Sequence, residues 1–139
     1  MLAALPPVSP GIYPGAGQAS LLRANGQQYL FQQQLIAAGN ASIAVLLERT
    51  KMSYFYPFGF SIQIWFTNSS GAGADPGAFE VDAQFSDNDV QYQTTTGLTA
   101  VDATNFSGRI EFTLSWTKFV RVNIKTLTNA VYSNVLVTR

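Results

Sequence analysis

Residues 109–126, RIEFTLSWTKFVRVNIKT, constrain the fold of this chain most strongly, because they contain two successive runs with a period of two. In the first run, every second side chain is apolar: Ile110, Phe112, Leu114 and Trp116. In the second, the core-facing positions are Val120, Val122 and Ile124. Side chains of a strand alternate between its two faces, and β-branched and aromatic residues suit a half-buried sheet. The link at 117–118 is compatible with a tight hairpin or with one long bulged strand, and we favour two strands.

Comparable runs recur along the chain, at a spacing of about ten residues. They cover 27–37, 43–47, 58–67, 79–85, 90–95 and 131–138, with a further short strand at 98–103. Turn-forming sequences separate them, among them 25–26, 68–77, 86–89 and 96–97. A helix over 42–51 is an alternative, because several residues there favour helices. We predict an all-β protein, an antiparallel β-sandwich or jelly roll of about eight strands.

The N-terminal 26 residues differ in composition from the rest of the chain. Prolines and glycines alternate there, and proline removes backbone donors, so residues 1–26 are predicted to form an extended arm before a sandwich domain at 27–139. Apolar residues punctuate the arm, which fits either contact with a neighbouring molecule or a strap over its own sandwich. A second apolar segment, predicted to form a lip, precedes the strand at 58–67. The candidate partner-contact residues are Leu2, Leu5, Ile12 and Tyr13 on the arm, and Tyr54, Phe55 and Tyr56 on the lip.

Composition limits the possible functions. Charged residues make up only 12% of the 139 residues and the formal net charge is zero, so no basic excess is present to neutralise nucleic-acid phosphates. A chain with so little charge also suits an assembly that covers its surface. The sequence contains no Cys and no His, which removes thiolate sites and the commonest general base and metal ligand. No secretory signal and no membrane-spanning run is apparent, so we expect synthesis in the cytoplasm and no membrane partner.

Acidic residues give two possible sites, and each has a simpler interpretation. Asp82, Asp87 and Asp89 carry ligands suited to a hard cation such as Ca²⁺, but Asp-Asn-Asp is also a common turn sequence. Glu80, Asp82 and Glu111 supply carboxylates for glycoside hydrolysis, but all three occupy polar positions of predicted strands, where charged residues normally face water. We therefore predict no catalytic residue, no cofactor and no metal ligand.

Three aromatic residues suggest a different site. Trp65, Trp116 and Tyr92 could form a platform on which a sugar ring stacks. The alternative, which we favour, places them in the core or in a subunit interface.

From residue 79 onward the chain resembles small virion structural proteins of tailed bacteriophages. The segments that carry this resemblance are FEVDAQFSDNDVQYQ, LTAVDATNFSGRIEF and WTKFVRVNIKTLTNA. With the proline-rich arm in front, the whole is similar to jelly-roll cement or decoration proteins of the capsid. The resemblance implies a non-enzymatic homo-oligomeric protein on the capsid surface, which stabilises the phage head by bridging subunits of the major capsid protein.

One motif is also similar to another group of proteins. The segment WTKFVRV resembles a strand of galactose-binding-like sandwiches. It implies the alternative function of a carbohydrate-binding module or a tail receptor-binding β-sandwich.

Overall fold

The computed structural model describes residues 20–23, 25–47, 58–115 and 117–139. Within these residues the chain forms strands and no helix, which confirms the all-β prediction. The described residues therefore include no helix long and apolar enough to cross a membrane. The strands are β1 Ser20–Leu22, β2 Gln27–Leu35, β3 Asn40–Ala41, β4 Val45–Leu47, β5 Phe58–Thr67, β6 Phe79–Ser86, β7 Gln93–Leu98, β8 Ser107–Ser115, β9 Phe119–Leu127 and β10 Tyr132–Thr138.

The strands are arranged in two sheets. The six-stranded sheet has the order β1-β4-β9-β6-β7, and β3 pairs with β9 beside β4. The four-stranded sheet has the order β2-β10-β5-β8. The β1–β4 pair is parallel, and the other strand pairs are antiparallel.

The inner faces of the two sheets enclose one hydrophobic core. Alternate side chains of β5 and β10 from one sheet, and of β6 and β9 from the other, are almost completely buried: Ile62, Ile64, Phe66, Val81, Ala83, Val120, Val122, Ile124, Val135 and Val137. The rings of Phe60 and Phe112 stack with their centroids 4.8 Å apart, and Phe85 of the opposite sheet packs against both. This packing confirms the β-sandwich, while the jelly-roll connectivity stays a prediction.

The run at 109–126 forms two strands with the predicted side-chain alternation. Val120, Val122 and Ile124 are each 0% exposed. The predicted hairpin and the single bulged strand are both wrong, because β8 pairs with β5 in one sheet whereas β9 pairs with β4 and β6 in the other. The chain crosses between the sheets here, which lets both apolar faces cover the same core.

Strand β1 lies inside the segment predicted to be an extended arm. Ser20 to Leu22 pair with Val45 to Leu47, and Leu22 is only 2% exposed. The guanidinium of Arg139 donates a hydrogen bond to the carbonyl of Leu22, at 3.0 Å. The end of the predicted arm therefore belongs to the sandwich, and residues 1–19 lie outside the described residues.

Two strand predictions in the middle of the chain were wrong. Strand β7 begins at Gln93 and runs through the predicted turn at 96–97 as far as Leu98, so the strand is shifted by three residues from 90–95. The predicted strand at 98–103 is mostly a loop, in which the carboxylate of Asp102 accepts the N–H groups of Thr104 and Asn105. Earlier in the chain, β4 is a strand, so the alternative helix is wrong for its described residues, 42–47.

Candidate functional site

All seven predicted partner-contact residues lie in segments 1–19 and 48–57, which are outside the described residues. The residues that flank the second segment are placed. The N–H of Leu47 donates to the carbonyl of Lys118, and Phe58 is opposite Ser115 in the β5–β8 pair. Both flanking residues are thus at the end of the sandwich where the chain passes from β8 to β9, which we call the crossover end.

A polar pocket opens at the crossover end. Its volume is about 540 Å³, and it lies where β6 ends, β7 begins and the link to β9 passes. The described residues that line it are Phe85, Ser86, Asp87, Asn88, Gln91, Gln93, Thr95 and Thr117.

The turn between β6 and β7 forms one wall of this pocket, and two polar side chains hold it in place. The hydroxyl of Ser86 accepts the N–H groups of Asn88 and Asp89 at 3.1 and 3.0 Å. The side-chain oxygen of Asn88 accepts the N–H groups of Val90 and Gln91, both at 3.0 Å. Asp and Asn commonly bond their own backbone in this manner, so the Ser-Asp-Asn-Asp sequence forms the predicted turn.

Further contacts attach the same turn to the outer face of the six-stranded sheet. The hydroxyl of Tyr92 donates a short hydrogen bond to the carboxylate of Asp89. The guanidinium of Arg121 lies 3.9 Å from the centre of the Tyr92 ring, and its Nε donates to Gln84 at 2.8 Å. Burial, and then the bond to Asp89, raise the pKa of Tyr92 above its ordinary value, so the phenol remains a neutral donor.

The pocket retains polar groups that the fold itself does not use. The side chains of Asp87, Gln91 and Gln93 are exposed and form no hydrogen bond with described residues, and the amide nitrogen of Asn88 also has no described acceptor. Phe85 contributes an apolar surface, held by its contacts with Phe60 and Phe112 at centroid distances of 5.8 and 4.9 Å. This lining can offer hydrogen-bond donors, acceptors and an apolar surface to a small ligand.

A second unusual arrangement lies on the outer face of the six-stranded sheet. Asp82 points outward from β6 but is only 4% exposed, and its neighbour on β7 is Gly97. A Cβ atom on Gly97 would lie 2.6 Å from Oδ1 of Asp82 and 3.1 Å from Oε2 of Glu80. The two carboxyl groups therefore meet above the glycine, in space that any larger residue would occupy.

The burial and contact of these two carboxyl groups determine which of them is protonated. As a carboxylate, Asp82 has an Oδ1 atom with no donor in reach. Burial, and then its hydrogen bond with Glu80, raise the pKa of Asp82 to about 6. The bond from Asp82 lowers the pKa of Glu80, and Lys125, with its Nζ 3.5 Å from Oε2, adds to that effect. Below about pH 6 Asp82 therefore holds the proton of the pair, and at higher pH both acids are ionised.

The structure separates the acidic residues that the sequence suggested as sites. Asp82 contacts Glu80 on β6, whereas Asp87 lines the pocket and Asp89 bonds Tyr92. Among the described residues, no group of three or more acidic side chains is arranged to hold a metal ion. Glu111 is exposed on β8 in the other sheet, so the three carboxylates considered for glycoside hydrolysis are not brought together.

The aromatic platform considered from the sequence is also divided. Trp65 lies between the buried Ile64 and Phe66 on β5, so it faces outward from the four-stranded sheet, with its ring edge-on to Tyr29 at 6.1 Å. Tyr92 packs on the outer face of the opposite sheet, and Trp116 is not described.

Sequence reasoning missed the pocket and the Glu80–Asp82 pair. Glu80 and Asp82 share one face of β6, as the period of two indicates, but their burial depends on Gly97 of the adjacent strand. The polar run from Ser86 to Gln93 was the signal closest to the pocket. Comparison with known proteins adds no relative: no family model, curated protein or solved structure matches this chain.

Proposed function

We propose that this chain is a non-enzymatic structural protein of a virus particle, a capsid decoration protein of the kind its sequence resembles. It binds subunits of the major capsid protein and copies of itself on the capsid surface, without a nucleic-acid or membrane partner. The rigid sandwich bridges neighbouring subunits, and the predicted arm adds contacts beside it. A stable contact of this kind buries about 1,200–2,000 Å².

The observation that best supports this proposal is a group of apolar side chains on the outer face of the four-stranded sheet. We call it the docking face and define it by Tyr29, Leu35, Trp65, Tyr132 and Leu136. Tyr29 is 39% exposed and Leu35 is 52% exposed, although both lie within a strand. Their cross-strand partners on β10 are Leu136 and Tyr132, so apolar side chains adjoin one another on this face.

The chemistry of the docking face suits a protein surface. A chain with 12% charged residues has little long-range attraction to offer, so affinity must come from short-range burial of apolar area. Partly exposed Tyr and Trp are the residues that most often supply that affinity at protein interfaces. Among the described strands, β2 pairs with β10 on one side and with none on the other, so it forms an edge of the described sheet beside the docking face.

The test uses the source particle. Immunogold labelling should place the protein on the shell, and purified full-length protein should co-sediment with shells that lack it. The double variant Tyr29→Ser, Leu35→Ser should lose most of this binding, because both side chains are exposed and their replacement has little effect on the core. The matched control is Val90→Ser, which removes an equally apolar side chain that is 68% exposed in the turn at the crossover end. Unlabelled particles, or equal binding by both variants, would contradict the proposal.

A truncation tests the contribution of the predicted arm. Removal of residues 1–17 leaves β1 intact, so the sandwich should keep its melting temperature while co-sedimentation weakens. Unfolding on truncation would mean that the segment stabilises its own domain. Unchanged binding would assign the contact to the docking face alone.

A further inference from the structure

We propose that the pocket at the crossover end binds a neutral polyhydroxylated ligand, specifically a pyranose sugar residue, through its unused amide and carboxylate groups and the apolar surface of Phe85. This function does not depend on association with a virus particle. It also uses a different part of the molecule from the docking face, since the pocket is built on β6 and β7 of the six-stranded sheet.

The size and charge of the pocket restrict the class of ligand. Its volume of about 540 Å³ is within the range of about 300–1,000 Å³ that is usual for small-molecule sites. The described lining residues include no Lys or Arg, and Asp87 contributes a negative charge. A phosphate or carboxylate ligand would therefore meet the negative charge of Asp87, with no cationic donor among the described lining residues to offset it. A neutral ligand avoids this cost.

The hydrogen-bonding groups match sugar hydroxyls. Each hydroxyl both donates and accepts, and each Gln side chain offers both an acceptor oxygen and two donor hydrogens. Gln91 and Gln93 have both functions unused by described residues, Asn88 retains its amide donors, and Asp87 accepts only. The ring of Phe85 offers an apolar surface for the C–H face of a pyranose. An apolar ligand, by contrast, would have to desolvate these polar groups without replacing their hydrogen bonds.

The pocket is held in shape before a ligand arrives. The turn is fixed by the Ser86 and Asn88 bonds to its backbone, and it is attached to the sheet through Tyr92 and Arg121. The entropy lost when flexible groups become ordered opposes binding. Because this pocket wall is ordered before the ligand arrives, less of that entropy is lost and binding is tighter. For a ligand of about a dozen heavy atoms we expect a dissociation constant on the order of 1 mM.

The experiment is nuclear magnetic resonance titration of the full-length, isotope-labelled protein. The probes are the methyl glycosides of glucose, galactose, mannose and N-acetylglucosamine, each raised to about 20 mM to cover the expected affinity. At least one probe should shift the signals of residues 85–95 and the side-chain amides of Gln91 and Gln93. Glycerol serves as the control for a general polyol effect, and equal shifts with glycerol would overturn the assignment to a sugar.

Variants then test the named groups. The double variant Gln91→Ala, Gln93→Ala should weaken the responding glycoside at least tenfold without changing the melting temperature, because neither side chain bonds to a described residue. The matched control is Gln32→Ala, an exposed glutamine on the other sheet, which should bind normally. The proposal is overturned if no probe shifts the pocket signals, if shifts centre on Tyr29 and Trp65, or if both variants bind alike.

Discussion

Replacing Asp82 by Asn should stabilise the protein at neutral pH, although the substitution removes a charged group from a buried position. Asp82 is 4% exposed, its Oδ1 lacks a donor when ionised, and Glu80 adjoins it above Gly97. Ionising both acids places two negative charges together in a poorly hydrated site. An Asn side chain has the same shape as protonated Asp and can donate to Glu80 at every pH.

The sign and size of the effect follow from the pKa of Asp82. It is about 6 in the folded protein, against about 3.9 for an ordinary Asp. Because the folded state binds this proton more tightly, the stabilisation is fully present below about pH 4 and is lost as the pH rises through 6. The full difference corresponds to about 3 kcal/mol. Solvent screening and the nearby Lys125 reduce the expected loss to about 1–2 kcal/mol.

Urea unfolding of the full chain between pH 4 and pH 8 measures this effect. The wild type should lose stability across that range relative to Asp82→Asn, so the variant should be more stable by about 1–2 kcal/mol at pH 8 and have little advantage at pH 4. The matched control is Asp87→Asn, because Asp87 is exposed and forms no described hydrogen bond. The reasoning is refuted if Asp82→Asn destabilises the protein at pH 8, or if its effect is the same at both ends of the range.

Three further predictions concern packing and metal binding. In urea unfolding, Val122→Ala should lower the free energy of unfolding by about 2–3 kcal/mol and Phe112→Ala by about 3–5 kcal/mol. Arg121→Ala should lower it by only about 1 kcal/mol. Equal losses would mean that the inward and outward faces are misassigned. Gly97→Ala should destabilise by about 1–3 kcal/mol, because its Cβ would clash with the carboxyl of Asp82, and a neutral result in the same assay would place that carboxyl elsewhere. A chelator should leave the melting temperature unchanged, and a fall of several degrees would instead indicate a bound cation.

The strands that the sequence predicted well are those in which one face is uniformly apolar. In β5 and β9 the inward residues are large and β-branched or aromatic, and their alternation leaves no other way to bury them. Strand β7 was misplaced because its sequence, QTTTGL, is mostly polar and has no strong alternation. Its start is set by the hydrogen bonds of Ser86 and Asn88, which occupy the backbone as far as Gln91.

Pairing between strands was the information that the sequence did not contain. A short link at 117–118 fits a hairpin as well as a crossing between sheets, because both arrangements bury the same apolar faces. Gly97 illustrates the consequence for a site. The pair Thr96-Gly97 predicts a turn, but Gly97 instead provides room for the carboxyl group of Asp82 on the adjacent strand. The unusual protonation of Asp82 could not be predicted without that register.

The two outer faces of the sandwich differ in a way that separates the two proposed functions. The four-stranded sheet presents partly exposed apolar side chains such as Tyr29 and Leu35, which can gain affinity only by excluding water over a wide area. The six-stranded sheet instead carries directional contacts, such as those of Arg121 with Gln84 and Tyr92, and these fix the wall of a pocket that suits a small polar ligand. Because the core lies between the two faces, a surface substitution on one should leave the other intact. Loss of shell binding in the Tyr29→Ser, Leu35→Ser variant should therefore leave glycoside binding unchanged.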